Sequence, residues 1–174
     1  MALTIDEFNA LDATHAAATV SAWAAAPSWV DAIVARRPYS SVDALAATAA
    51  ALTESWGAAE LDAALAHHPR IGQPPAGSGD DAAASRREQA SMSAADDAVA
   101  ARIADGNARY EARFGRIFLI RAAGRSPEEM LSELERRLRN DPESEIAEAT
   151  AQLAEIALLR LRETICATPE GRPR

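Results

Sequence analysis

The 174-residue sequence predicts an all-α fold: a single-domain, multi-helix bundle with an irregular loop after one of its helices. Three observations carry this. The chain is rich in alanine, the strongest helix former. Apolar residues recur three and four apart in segments that open at Ser, Thr or Asp and stop at Pro or Gly. The one stretch of strand-like composition, Ile117-Phe118-Leu119-Ile120, finds no partner strands elsewhere. A length of 174 with 48% hydrophobic and 25% charged residues suits one soluble domain spanning 1–174 with a real core. No repeat, low-complexity linker or second domain interrupts it.

Thr4-x-x-Glu7 is a capping box, opening a short helix through Leu11. Asp12 to Ala25 reads as a second, alanine-rich helix. Pro27 interrupts, and Ser28 is the expected cap of a helix carrying Trp29, Ile33 and Val34 toward Arg37, with Pro38 as its stop. Ser40, Ser41 and Asp43 open the next helix, with Leu45, Ala49 and Leu52 on its apolar face and Gly57 as its break. Leu61 and Leu65, four apart, mark a helix running to Ala66. After the loop, a helix is expected from about Ser85, where Ser85-x-x-Glu88 has capping-box spacing, and a longer one from about Ser93 to Phe114. Gly106 and Asn107 weaken the middle of the latter, and Gly115 ends it. Arg116 to Ala123 is expected as an extended segment entering the core. Ser126-Pro127-Glu128-Glu129 opens a helix with Pro at its first position and acids in its first turn. Met130, Leu131, Leu134 and Leu138 form its buried stripe, and Glu133–Arg137 and Glu135–Arg139 are spaced as i,i+4 ion pairs. Asn140 caps before Asp141-Pro142. The last helix covers about Glu143 to Cys166, leaving 170–174 frayed.

The stretch from Leu61 to Gln89 concentrates the chemistry. His68 falls on the face of Leu61 and Leu65, whereas His67 is rotated by roughly 100° and points elsewhere. Pro69 disfavours the α conformation at His68, so the helix ends there, leaving one imidazole facing inward beside a loop. Carbonyl groups at that end favour a cationic ring. Gly72, Pro74, Pro75, Gly77 and Gly79 keep the loop irregular and its backbone accessible. Asp80, Asp81, Ser85, Glu88 and Gln89 follow, so a second polar group can face His68 across the loop.

Composition excludes several function classes. A net charge of −8 argues against a nucleic-acid partner. All 18 basic residues are arginine, so a lysine Schiff base, and pyridoxal phosphate held as one, are ruled out. The single cysteine, Cys166, makes no internal disulfide and reads as a buried, inert thiol at the end of an apolar helix. No apolar run reaches membrane-span length. The opening MALTIDEF has neither a basic nor an apolar signal region, so a cytoplasmic protein is expected.

His68-Pro69-Arg70-Ile71-Gly72, followed by Ser85-x-x-Glu88-Gln89, resembles the OHCU decarboxylase family, which acts on 2-oxo-4-hydroxy-4-carboxy-5-ureidoimidazoline, the last unstable intermediate between urate and (S)-allantoin. Tyr110-Glu111-Ala112-Arg113-Phe114-Gly115 with Ile117-Phe118-Leu119-Ile120 is similar to the family's second signature. Gly124-Arg125-Ser126, the Arg137-Leu138-x-Asn140 turn and Leu158-Leu159-Arg160-Leu161 also match. Arg116, where the family has an aromatic or apolar residue, Gln73, where it has a second glycine, and Arg121-Ala122-Ala123-Gly124, where a small Cys-Ala start is expected, depart from the pattern.

The resemblance implies a decarboxylase that needs no cofactor or metal, because the substrate's own ring and carbonyl-type groups delocalise the charge. The protein would orient the carboxylate, exclude water and deliver one proton to one face. On this reading His68 is the general acid/base, suited to it by an intrinsic pKa near 6.5, and Glu88 is its partner. Ser85 and Gln89 hydrogen-bond substrate heteroatoms, and Pro69, Ile120 and Arg121 complete the substrate contacts. Arg70 is expected to be structural, tying the loop to acidic neighbours, and His15 and His67 to be non-catalytic. Trp23, Trp29 and Trp56 read as core or interface aromatics. The resemblance also implies a homodimer, with exposed tryptophans as candidates for its interface. Two alternatives stand beside this. One is a metal-dependent helical hydrolase using His67, His68, Asp80, Asp81 and Glu88, weakened because adjacent histidines are poor co-ligands. The other is a non-catalytic interaction module, which leaves the polar cluster at the loop unexplained.

Overall fold

The structure is a computed structural model that describes residues 2–66, 68–73 and 80–169, excluding the side chains of Asp80 and Asp81. The expectations for His67, for Pro74, Pro75, Gly77 and Gly79, and for the chain end from Glu170 lie outside the described residues. Helices dominate, as expected: α1 (Ile5–Ala10), α2 (Ala13–Trp23), α3 (Pro27–Ala35), α4 (Val42–Thr53), α5 (Ala58–Leu65), α6 (Asp80–Glu88), the 3-10 turn Ala90–Ala94, α7 (Asp97–Phe114), α8 (Pro127–Arg137) and α9 (Pro142–Thr164). Leu3–Thr4 (β1) and Ile165–Cys166 (β2) form a two-residue parallel pair, too short to leave a periodic signal in sequence. Among the described residues no helix is long and apolar enough to cross a membrane.

The residues group into two compact units, Met1–Trp56 with Ile156–Arg174, and Gly57–Glu155. In the first, Phe8, Trp23, Trp29 and Trp56 form a run of ring contacts, with successive centroids 5.8, 6.4 and 5.4 Å apart. All three tryptophans are buried, so they are core residues, and the expectation that some are exposed at an interface is corrected. Trp29 Nε1 donates to the Ala49 carbonyl at 3.1 Å. Thr4 and Glu7 form the expected capping box, and Asp12 and Ser41 cap α2 and α4.

In the second unit Ile71, Ile103, Tyr110, Phe118, Ile120, Ala122, Met130, Leu131 and Leu134 form an apolar centre. Phe118, Ile120 and Ala122 enter it at every second position, the period of an extended chain. The Ser126 capping box with Pro127 at the first helical position forms as expected. Gly106 lies against α8 so closely that a Cβ there would stand 2.6 Å from Leu134 Cδ2. Beside this centre lies a buried polar group. Arg137 Nε donates to Glu145 at 2.9 Å and its Nη1 to the Leu119 carbonyl at 2.6 Å, while Tyr110 Oη also donates to Glu145. Asn140 donates to the second carboxylate oxygen of Glu145 at 2.9 Å. Burial, then the hydrogen bond to Glu145, raises the Tyr110 phenol well above its ordinary range, so it stays protonated.

Several element boundaries differ from expectation. Pro27 opens α3 at its first position instead of interrupting, because its missing N–H costs nothing there, and Ser28 is inside the helix. α7 begins at Asp97, capped by Asp96, with the 3-10 turn before it. Cys166 stands on β2, beyond the helix, and is exposed, so it is not a buried thiol. The expected surface pairs on α8 are replaced. Arg137 turns inward to Glu145, Glu133 pairs with Arg136, and Glu135 pairs with Arg102 of α7.

Candidate active site

The site is built from the end of α5, the turn after it, and the C-terminal half of α6. Helix α5 buries Leu61 and Leu65 and stops at Leu65; the His68 N–H returns to the Leu65 carbonyl at 3.1 Å. Pro69, with no N–H and a restrictive ring, prevents a further turn. His68 is half-buried there, and its Nε2 is out of solvent. The next four residues make a β-turn, closed by Gln73 N–H donating to the Arg70 carbonyl at 3.1 Å. Gly72 sits third in that turn with φ +82°, the position a type II turn reserves for glycine. Gln73, a departure from the family pattern, thus supplies the N–H that closes the turn.

The turn is held from several directions. Arg70 makes a two-pronged contact with Glu111 of α7, Nε to Oε1 at 2.6 Å and Nη2 to Oε2 at 2.8 Å. This is the structural role expected of Arg70, and the guanidinium holds the Glu111 carboxyl below the usual carboxylate range. Asn107, also on α7, donates from Nδ2 to the Ile71 carbonyl at 2.9 Å. Gln89 clamps the backbone on both sides of Ile71: its Oε1 accepts the Gly72 N–H at 3.0 Å and its Nε2 donates to the Arg70 carbonyl at 3.3 Å. Arg116, another departure from the family pattern, reaches Asp62 of α5 through Nε at 2.5 Å and Nη2 at 3.0 Å, tying the segment after α7 to the helix that precedes His68.

Ser85 does not cap a helix. It lies inside α6, 1% exposed, and Glu88 is the last residue of that helix. The Gln89 N–H donates to the Ser85 carbonyl at 3.0 Å, continuing the helical pattern. Ser85, Glu88 and Gln89 are therefore neighbours on one face by their three- and four-residue spacing, and Gln89 on that face meets the turn after His68. The Ser-x-x-Glu spacing that resembles a cap is the same spacing that shares a face inside a helix. Asp80-Asp81 in the first turn and Arg86-Arg87 in the last were the sequence signal for the true extent of α6.

The remaining expected site residues are placed differently. Pro69 is half-buried beside His68. The Ile120 side chain is in the apolar centre of its unit, so its backbone is what it can offer a ligand. The Arg121 N–H donates to Gln152 Oε1 at 2.9 Å, and its guanidinium pairs with Glu155 at 2.9 Å and donates to the Ala123 carbonyl at 3.0 Å. A cavity of about 320 Å³ backs the turn, walled by Arg70 to Gln73, Met92 and one side of α7; His68 and Glu88 are not among its walls. Among the described residues no three His, Cys, Asp or Glu side chains gather as metal ligands. His15, in the other unit, is exposed and bound to Asp12, with Nδ1 and Oδ2 2.6 Å apart. Sequence reasoning missed Asn107, Glu111 and Asp62. Asn107 is out of character in mid-helix, which was its only signal.

A protein-family model described as OHCU decarboxylase matches residues 9–162. The uric acid degradation bifunctional protein TTL of Arabidopsis thaliana is 38% identical over 101 residues, 56% of this chain but 31% of that protein, so the chain spans about a third of that relative. Of solved structures, an OHCU decarboxylase crystallised in the presence of (S)-allantoin superposes with a TM-score of 0.70 at 24% identity, covering 81% of this chain and 92% of that one. An (S)-allantoin synthase gives 0.67 at 19%, covering 94% and 54%. At these identities the two structures speak for the fold.

Proposed function

Because the chain belongs to the OHCU decarboxylase family, carboxy-lyases of urate degradation, we propose that it converts 2-oxo-4-hydroxy-4-carboxy-5-ureidoimidazoline to (S)-allantoin and CO2 by proton transfer from its own side chains. The observation that supports this reading most is the clamp of Gln89 on the Arg70 and Gly72 backbone. It joins the two motifs that carry the chemistry, one ending α5 and one ending α6.

Loss of CO2 leaves an electron pair on the ring carbon, which the imidazoline and its adjacent carbonyl-type groups delocalise. The protein then selects the face that receives the proton. His68, just beyond the end of α5, is the general acid/base. Glu88, on the face of α6 that meets the turn, orients the substrate's hydroxyl and ureido groups or polarises the histidine. Ser85 shares that face. The Gln89 amide has one further N–H and one further oxygen lone pair beyond its bonds to the turn, and these are assigned to substrate heteroatoms. Pro69 and the Ile120 backbone are assigned to substrate contacts by the family resemblance. Arg121, paired with Glu155, offers an anionic substrate the N–H donors that this pair leaves over. The same reading carries a homodimer and a cytoplasmic setting, which light scattering and cell fractionation test respectively.

The decay of freshly generated substrate tests the activity. The enzyme is expected to accelerate it over the spontaneous rate, with no effect of a chelator. A rate equal to the spontaneous one contradicts the proposal, and a rate abolished by chelation favours the metal-dependent hydrolase.

A further inference from the structure

Asn107 stands in the middle of α7 next to Gly106, two weak helix formers in succession in a helix that nevertheless runs unbroken. Gly106 is explained by the close approach of Leu134. Asn107 is 6% exposed, and its Nδ2 bond to the Ile71 carbonyl crosses 36 residues of sequence. Its Oδ1 is buried with no hydrogen-bond partner among the described residues. An unpaired buried acceptor is costly, and a leucine of similar shape would avoid that cost, so packing alone does not account for the residue. What asparagine supplies, and leucine cannot, is the N–H directed at Ile71.

That carbonyl belongs to the turn following His68 and Pro69. Gln89 holds the turn at Arg70 and Gly72, on either side of Ile71, and Glu111 holds the Arg70 side chain. The Ile71 side chain is anchored in the apolar centre. Without Asn107 the buried Ile71 carbonyl would lose its donor, and its peptide, still held through the Gly72 N–H by Gln89, could turn toward another donor only by straining that bond. A shift of this peptide reaches His68 through Arg70 and Pro69, and Pro69 narrows the freedom on that path because it fixes its own φ and restricts the residue before it.

We infer that Asn107 is a positioning residue for His68, acting through the Ile71 carbonyl to set the turn that aims the imidazole. The inference rests on the reading of His68 as acid/base. It is tested with Asn107→Leu, which keeps the volume and removes the donor, and Asn107→His, whose Nδ1–H returns a donor at similar reach. Melting curves, steady-state kinetics on fresh substrate and the pH profile of kcat are measured for each. The expected result is a folded Asn107→Leu with kcat lowered about tenfold to a hundredfold, KM nearly unchanged and a shifted pH profile, and a partial return of kcat in Asn107→His. If Asn107→Leu does not fold, Asn107→Ala is measured by the same criteria. A folded variant with wild-type kcat and pH profile overturns the inference while leaving the acid/base reading intact. So does a loss of kcat that only tracks the unfolded fraction. Wild-type protein no faster than spontaneous decay removes the acid/base reading itself, and the inference with it.

Discussion

The side-chain oxygen of Gln89 accepts the backbone N–H of Gly72 at 3.0 Å, while the nitrogen of the same amide donates to the Arg70 carbonyl. One side chain thus satisfies two backbone groups of the turn after His68 from the end of a different helix. A glutamine is suited to this because it is donor and acceptor at once, in a fixed plane. The turn that follows His68 and the end of α6 are thereby joined by bonds neither motif could make alone.

Gln89→Leu removes both bonds and exposes the turn to rearrangement. Stability is expected to fall by about 1–2 kcal/mol, the worth of hydrogen bonds at a half-buried site, and kcat/KM by about a hundredfold. Urea titration and kinetics on fresh substrate measure the two effects. A variant that loses stability but keeps its turnover would mean that the clamp serves folding alone.

Arg137 and Glu145, both almost wholly buried, form an ion pair shared with Tyr110 and Asn140. Arg137→Leu leaves Glu145 as an uncompensated buried charge and should cost about 3–5 kcal/mol, whereas replacing both partners by apolar residues should recover much of it. Equilibrium unfolding of the single and double variants gives the comparison.

Glu111 is held below the ordinary carboxylate range by Arg70. Stability from this pair is therefore fully present above the unfolded carboxyl's pKa near 4.3 and is lost as pH falls through the lower, folded value. In Glu111→Gln that contribution is absent at every pH. Melting temperatures of the two proteins should differ above about pH 5 and converge under acid. A constant difference down to the lowest pH at which both fold would contradict the assignment.

Gly106→Ala in an exposed helix would stabilise by about 1 kcal/mol. Here the new Cβ would stand 2.6 Å from Leu134 Cδ2, and moving that fully buried side chain disturbs its packing, so the variant should melt lower than wild type instead. The sign of the melting shift decides between helix propensity and the close approach of α8.

What the sequence made legible was whatever depends on near neighbours. That His68 follows a helix came from Leu61 and Leu65 four apart and from Pro69 one position on, although α5 stops at Leu65, before His68. The caps at Thr4 and Ser126 followed from side chains reaching three residues along the chain. Contacts that span the fold left no such trace. Arg137 was paired on paper with Glu133 by spacing, but a buried guanidinium needs a buried carboxylate, and that is Glu145. Ser85 read as a cap because i,i+3 spacing serves caps and helix faces alike. Asn107 could be recognised only as a poor helix former, since its partner Ile71 lies far away in the chain. Cys166 was assigned to a helix interior because nothing local signals a two-residue strand at its end.

The chirality of the product tests the central claim most directly. Circular dichroism of allantoin formed from fresh substrate should show the (S)-enantiomer with wild-type protein. With folded His68→Gln or Glu88→Gln it should show a signal close to the spontaneous racemate. A racemic product from wild type, or an undiminished (S)-signal from His68→Gln, would contradict the assignment of His68 as the group that directs the proton to one face.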